Sequence, residues 1–378
     1  MSRLLETYPQ GKLRILTGSY FDTVSPAEGR LPCEHSVFPT TNETGPLGLG
    51  RIKSFLEWLM IPLLMLYAIL IIKRERIKVI VTIAYGHFFI AAALASRATR
   101  VPFILVVHDD WIPEIRRTSW ILKSFCVPLF RFVARSAAHI YGVTPYMQQM
   151  LNAKYGVESE VQMPGIECST DCFPLREDSH SNTECLRIVY SGTLTRAMDD
   201  SFKMLLTLLK GDVLLRYGIT SWELHLYVMA TPENAKQAAW CHENIKVHGW
   251  VTQDELRRAL RMADILFLPF SFRQEERYAT ELAFPSKTAD YLESGKPILI
   301  LAPPYSSLIK YARQWGFAEV VDEASEEKLA EKIAYMAKSA ECRERLIVKS
   351  QAALEENHNI RKQRKGFREL VNHLASGT

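Results

Sequence analysis

The sequence predicts an α/β chain of two doubly wound halves that face each other across a cleft. Three observations predict it. Short apolar runs alternate with helix-length stretches along most of the 378 residues. A polar segment without periodicity, "GIECSTDCFPLREDSHSNTEC" at 165–185, interrupts them. Beyond it the same alternation starts again. Strand, helix, strand at this spacing describes βαβ units and parallel sheets. A chain of this length holds two domains of ordinary size.

In the first half, "LRILTGS" (13–19), "KVIVTIA" (78–84), "FILVVHD" (103–109) and "HIYGVT" (139–144) read as buried strands. Between the first two, "WLMIPLLMLYAILII" (58–72) runs fifteen residues without a charge. A membrane span takes about 20 apolar residues, and Pro62 interrupts this run, so it reads as a buried or interfacial helix. No small-residue cleavage site follows near the start, so a signal peptide fits poorly. In the second half, "LRIVYSG" (186–192), "ELHLYVM" (223–229), "IKVHGW" (245–250), "DILFLPF" (264–270), "PILILA" (297–302) and "AEVVDE" (318–323) read as six more strands. Thr252 with Glu255 three residues on has capping-box spacing. The expected division is a first domain over 1–170, a linker over 171–185 and a second domain over 186–355. A last helix, 356–378, is placed to pack back on the first domain. Ligands of such sheets sit beyond the carboxyl ends of the strands, which puts them in the cleft.

A hydrophobic fraction of 48% and a charged fraction of 23% are those of a folded globular chain. The net charge of +4 does not argue for nucleic acid. Between residues 51 and 135, however, thirteen Lys or Arg face five Asp or Glu, including Arg51, Lys53, Lys73, Arg74, Arg76 and Lys78 around the apolar run. That basic 51–135 region suits the surface of an anionic membrane; a solvated face explains the same charges. The seven cysteines are scattered, and nothing completes a zinc spacing around Cys168 and Cys172. Reduced thiols in a cytoplasmic protein, with contact at the inner face of the membrane, are the expectation.

The stretch "FPSKTADYLESGKP" (284–297) makes an unusually short helix. It starts on the carboxyl side of a strand, with Pro285 in its first turn and Gly295 as its left-handed stop. The N–H groups of Ser286, Lys287 and Thr288 are expected to point out of the helix start as an anion site, with the Lys287 ammonium and the Ser286 hydroxyl beside them. Asp290 lies one turn on and suits a vicinal diol, such as that of a ribose. A plain Lys287–Asp290 ion pair explains the same local pattern.

"FPSKTADYLESGKPILI" is similar to the signature of retaining glycosyltransferase family 4, whose members have the GT-B fold of two Rossmann-like domains across a cleft. "FILVVHDDW", "YGVTPYMQQML", "MPGIECSTDCFP", "VYSGTL" and "IKVHGWVTQDELRRALRMADILFLPF" resemble further pieces of that family, in order. Departures accompany the likeness. Asp290 stands where Glu is usual; the first acidic position falls on Leu282, beside Glu281; and Thr193 and Met198 stand where the family has Arg and Lys. The amino terminus begins at what looks like the family's second strand, so its first strand and glycine-rich loop are expected to be missing.

The resemblance implies transfer of a sugar from a nucleotide-sugar donor to a glycan or lipid-linked acceptor, with retention, in cell-surface polysaccharide synthesis. It implies neither metal nor cofactor, the nucleotide-sugar being a substrate. Lys287 and Arg196 would neutralise the departing diphosphate, and His108 would hydrogen-bond the sugar or the acceptor. Gly192, Thr193, Glu281, Pro285, Ser286, Thr288 and Asp290 complete the expected donor site. Each residue has a plainer reading: Arg196 an exposed loop arginine, His108 a structural hydrogen-bonder, Gly192 a tight turn, and Gly86 with His87 a turn before a helix. A GT-B binding protein without catalysis, or a GT-B sugar epimerase, remains the alternative.

Overall fold

The computed structural model describes residues 2–18, 31–39, 58–118, 124–167, 185–228 and 242–377. Most of the expected linker 171–185, the Cys168–Cys172 pair, and Arg51 and Lys53 lie outside them. The chain forms two compact units: Met1–Gly165 with Ile360–Thr378, and Ile166–Asn359.

In the first unit, β1 (Arg14–Gly18) pairs in parallel with β2 (Glu34–Phe38). A second parallel sheet runs β3 (Ile80–Ile83), β4 (Phe103–Val107), β5 (His139–Gly142) and β6 (Glu160–Val161) in sequential order. β4 is buried along its whole length, as an apolar run covered on both faces must be. The apolar run of the sequence becomes the helix Ile61–Arg74, packed by Ile72, Met65, Ala68 and Ile69 against Ala95 and Val101. Thr144 caps the helix Pro145–Tyr155 by accepting from the Met147 N–H at 3.0 Å, with Pro145 in its first turn. The C-terminal helix Ile360–Ser376 belongs to this unit: Phe367 and Ile360 join the core with Leu4, Ile104 and Tyr141, and Arg364 donates to the Arg3 carbonyl at 2.7 Å. β2 and β6 were not anticipated from the sequence, because "EHSVF" opens with three polar residues and shows neither an apolar run nor an alternation, and "EV" is too short to show a period.

The second unit is one six-stranded parallel sheet: β7 (Leu186–Ser191), β8 (Trp222–Tyr227), β9 (Ile245–Val247), β10 (Ile265–Pro269), β11 (Ile298–Leu301) and β12 (Ala318–Val321). Their order across the sheet is β9-β8-β7-β10-β11-β12. Strand order reverses between β7 and β10, and a ligand crevice opens beyond the carboxyl ends of the strands at such a switch point. The expected capping box closes as read: Thr252 accepts from the Glu255 N–H and Glu255 from the Thr252 N–H.

Candidate functional site

The site builds from the switch point outward. β7 ends at Ser191, and Gly192 follows with φ +108°, a conformation that glycine takes without strain. After β10 the chain runs through Ser271–Arg273 and a 3-10 segment, Gln274–Ala279, to the helix Lys287–Glu293. Two tyrosines fasten that helix to β7. The Tyr291 hydroxyl accepts the Ser191 N–H at 2.9 Å. The Lys287 ammonium donates to the Tyr190 hydroxyl at 2.8 Å and lies 4.0 Å from the centre of the Tyr190 ring. Tyr190 hands on its own proton to the Thr193 carbonyl at 2.9 Å.

Lys287 is thus held against Gly192: a Cβ on that glycine would meet the Lys287 Nζ at 2.8 Å and Cε at 2.9 Å. The residue as a whole is only partly covered, but its ammonium end is desolvated, and burial pulls its pKa down to about 7. No carboxylate pairs with it among the described residues; its neighbours are an aromatic ring, a hydroxyl and a glycine. The ion pair with Asp290 that the sequence left open does not form. Asp290 is buried, 7% exposed, and accepts from Gln253 Nε2 at 3.1 Å.

The start of the helix differs from the sequence expectation in detail. The helix proper begins at Lys287, with Ser286 as its N-cap, so Pro285 precedes the first turn instead of opening it. The Thr288 N–H is not free: it donates to the Pro285 carbonyl at 3.0 Å, because the preceding residues already turn. The Thr288 side chain is fully buried and its hydroxyl has no partner, whereas Ser286 is exposed. Gly295 takes φ +68° at the helix stop.

The remaining candidates divide. Arg196 opens a 3-10 turn, Arg196–Met198, with an exposed side chain, and its carbonyl accepts from Arg273 at 3.0 Å. Thr193 is exposed beside it. Glu281 is engaged by Arg277, with nitrogen–oxygen distances of 2.9 and 3.1 Å, and that bond holds its carboxyl below the usual range. In the first unit, His108 follows β4, and burial pulls it from 6.5 to about 4, so it is neutral at pH 7. Asp110 caps the next helix through the Ile112 N–H at 3.2 Å and pairs with Lys154 at 2.9 Å. Gly86 and His87 form the turn before the helix Phe88–Thr99, with the Gly86 carbonyl accepting from Trp111 Nε1. Among the described residues, no group of three or more His, Cys, Asp or Glu is arranged to hold a metal ion.

Sequence reading missed Tyr190, Gln253 and Arg273. Tyr190 alternates with Ile188 on the core face of β7, so its pattern is that of any core residue, and only the lysine reaching it shows its use. Arg273 stands in a loop with no periodic signal; its bond to the Arg196 carbonyl brings a second guanidinium to the same end of the sheet.

Comparison with known proteins agrees with this architecture. Residues 22–169 match the profile of glycosyltransferase family 4. No curated protein matches the sequence. HepE of Anabaena, solved in complex with UDP and glucose, is similar with a TM-score of 0.65 at 12% identity, over 98% of this chain and 94% of that one. Sucrose-phosphate synthase of Thermosynechococcus elongatus has a TM-score of 0.66 at 12% identity, over 97% and 100% of the two chains. A putative UDP-N-acetylglucosamine 2-epimerase of Listeria monocytogenes has a TM-score of 0.55 at 11% identity, over 97% of each chain. The chain is thus a GT-B-fold protein, glycosyltransferase family 4-like over residues 22–169.

Proposed function

We propose that the chain transfers a sugar from a nucleotide-sugar to a glycan or lipid-linked acceptor, with retention and without a metal, in the assembly of a cell-surface polysaccharide. One observation carries this reading: the desolvated Lys287 ammonium at the switch point, which no carboxylate neutralises. A buried cation without a counter-charge is costly, and a diphosphate laid against Gly192 would supply that charge. When the bond from the sugar to the diphosphate breaks, negative charge grows on the phosphate oxygens, and fixed donors stabilise it without reorganising. Lys287 would do most of this, with Arg196 and Arg273 at the rim. Asp290, buried one turn along the helix, would take the ribose diol in place of the Gln253 amide. His108, neutral at pH 7, would hydrogen-bond a sugar or acceptor hydroxyl. Glu281 would reach a donor-sugar hydroxyl only by leaving Arg277.

The UDP held by HepE makes a uridine donor the first to try. The test is a thermal-shift series with UDP, GDP, ADP and their sugars on the full chain beside Lys287→Ala, followed by release of nucleoside diphosphate with and without EDTA. A shift with one nucleotide, lost in the variant, and EDTA-insensitive release support the reading. No shift with any of them sinks it in favour of a fold that has lost catalysis. An altered nucleotide-sugar without diphosphate release would mark an epimerase.

A further inference from the structure

The helix Ile61–Arg74 buries one face, and on the other its large apolar side chains are exposed. Leu64 and Ile72 turn inward. Leu59, Leu63, Leu66 and Leu70 are 58%, 57%, 52% and 65% exposed. Leu63, Leu66 and Leu70, spaced three and four residues apart, lie in one row along the helix, and Leu59 stands just before its N-cap, Met60. The row on the helix spans about 10 Å at 1.5 Å per residue. The following turn of the same row holds Lys73 and Arg74, both exposed, and Arg76 and Lys78 stand just past the helix end, also exposed. Arg76 takes φ 53°, a left-handed position that glycine would fill without strain, so a cation is kept there at a conformational cost. The acid in this stretch, Glu75, is shared: it pairs with Arg14 at 2.9 Å and with its neighbour Arg74 at 3.3 Å.

We propose that this leucine row with its basic end is a docking surface for an anionic lipid bilayer, on which the helix lies in the interface plane. Leucines enter the acyl boundary while the ammonium and guanidinium groups stay at the lipid phosphates. Spanning is not at issue, since no helix among the described residues is long and apolar enough to cross a membrane. A second copy of the chain fits the face poorly. Pairing two such rows would bring the basic ends of like-charged copies together, with Lys73, Arg76 and Lys78 of each given no acidic partner by the leucine face. Four leucines also fall short of the roughly 800 Å² per partner that a stable pair buries. The inference is independent of the donor site, and its test contains no nucleotide.

The test is flotation of the full chain with vesicles of phosphatidylcholine alone and of phosphatidylcholine with phosphatidylglycerol. Wild type is expected to float with the anionic vesicles, more weakly at high salt, and little with the neutral ones. Leu63→Ser with Leu70→Ser is expected to cut binding at least tenfold. Lys73→Gln with Arg74→Gln is expected to cut it several-fold on anionic vesicles only. All substituted side chains are exposed, and circular dichroism and Tm are followed to show that the fold is kept. Absence of binding by wild type, or binding by the leucine variant equal to wild type, overturns the proposal. So does a wild-type dimer in sedimentation that the leucine variant abolishes while neither protein floats.

Discussion

At the carboxyl end of β4, Asp110 has Lys154 and a helix N–H, His108 is kept neutral by burial, and burial raises the pKa of the Asp109 carboxyl between them. At the carboxyl end of β7 a cation has no carboxylate partner among the described residues. Lys287 is desolvated against Tyr190 and Gly192, while the two nearest acids of its own helix are taken, Asp290 by Gln253 and Glu293 by Arg261 at 2.9 Å. The same fold element, a parallel strand running into a loop, therefore offers two chemistries. One end holds a neutral imidazole and a paired carboxylate and carries no uncompensated cation. The other lacks an anion. A site that only stabilised the fold would have neutralised its lysine locally, because an unpaired buried charge lowers stability.

Lys287→Ala would break this comparison most severely. Loss of one fixed donor to a developing oxyanion typically costs about 10²–10³ in rate, and that loss is expected in diphosphate release, together with the loss of nucleotide-induced thermal shift. Tm without nucleotide should stay level or rise, because the alanine removes a desolvated charge. A variant that unfolds instead would make the lysine structural.

His108→Ala tests the other end. A single hydrogen bond to a substrate hydroxyl is worth roughly 1–2 kcal/mol, so the rate should fall about tenfold while the nucleotide-induced shift is unchanged. A burial-lowered histidine also has a stability signature. Unfolding takes up a proton between its ordinary 6.5 and about 4, so the fold loses stability as pH falls through that window. The variant should lose less over the same range in urea titrations. Equal losses would mean that His108 is not the group that titrates.

The pH dependence of nucleotide binding sharpens the contrast. Above about 7 the free protein holds Lys287 unprotonated, and a bound diphosphate restores the proton. Affinity should therefore fall up to about tenfold for each pH unit above 7, with proton uptake seen as buffer-dependent heat in calorimetry. Stability without nucleotide should run the opposite way. Between about 7 and 10.5 the unfolded lysine is charged and the folded one is not, so stability rises with pH. A flat affinity profile would put the diphosphate elsewhere.

Gly192→Ala is smaller in effect. A non-glycine residue at φ +108° costs about 1–3 kcal/mol. The added methyl would also press on the Lys287 Nζ, which is the movable end of a long side chain. Nucleotide affinity is expected to fall roughly tenfold, with a Tm drop of several degrees. An unchanged affinity would mean that the glycine serves only the turn.

Strands of the second unit were legible as short apolar runs or alternating segments: Ile265–Pro269 and Ile298–Leu301 are buried throughout, and Trp222–Tyr227 buries every second residue. Lys287 was legible because a lysine beside Pro285 at a strand's carboxyl side is an unusual helix start. Its surroundings were not. Tyr190 looks like core from its period, and it lies ninety-seven positions away in sequence. The pairing of Asp290 with Gln253 also joins residues far apart, which no local window reads. The leucine row on Ile61–Arg74 was visible as apolar content but not as an exposed face, since a helix apolar nearly all round gives no period to say which side turns out.

Glu281→Gln probes the least of these effects and closes the contrast between matched and unmatched charge within the second unit itself. Its carboxylate is already answered by Arg277, and both side chains are partly exposed, at 39% and 47%. Exposed pairs of this kind contribute little and are screened by salt, so Tm should move by little. The same bond holds the Glu281 carboxyl low, which means that the pair is intact at neutral pH and weakens only as pH falls below the ordinary carboxylate range. If Glu281 is spectator to the sugar, the variant transfers at the wild-type rate and binds nucleoside diphosphate and nucleotide-sugar as wild type does. If it leaves Arg277 for a donor-sugar hydroxyl, the nucleotide-sugar binds several-fold more weakly while the nucleoside diphosphate is unaffected. Calorimetry with both ligands on both proteins separates the two, because only the sugar-bearing ligand reaches beyond the diphosphate that Lys287 would hold.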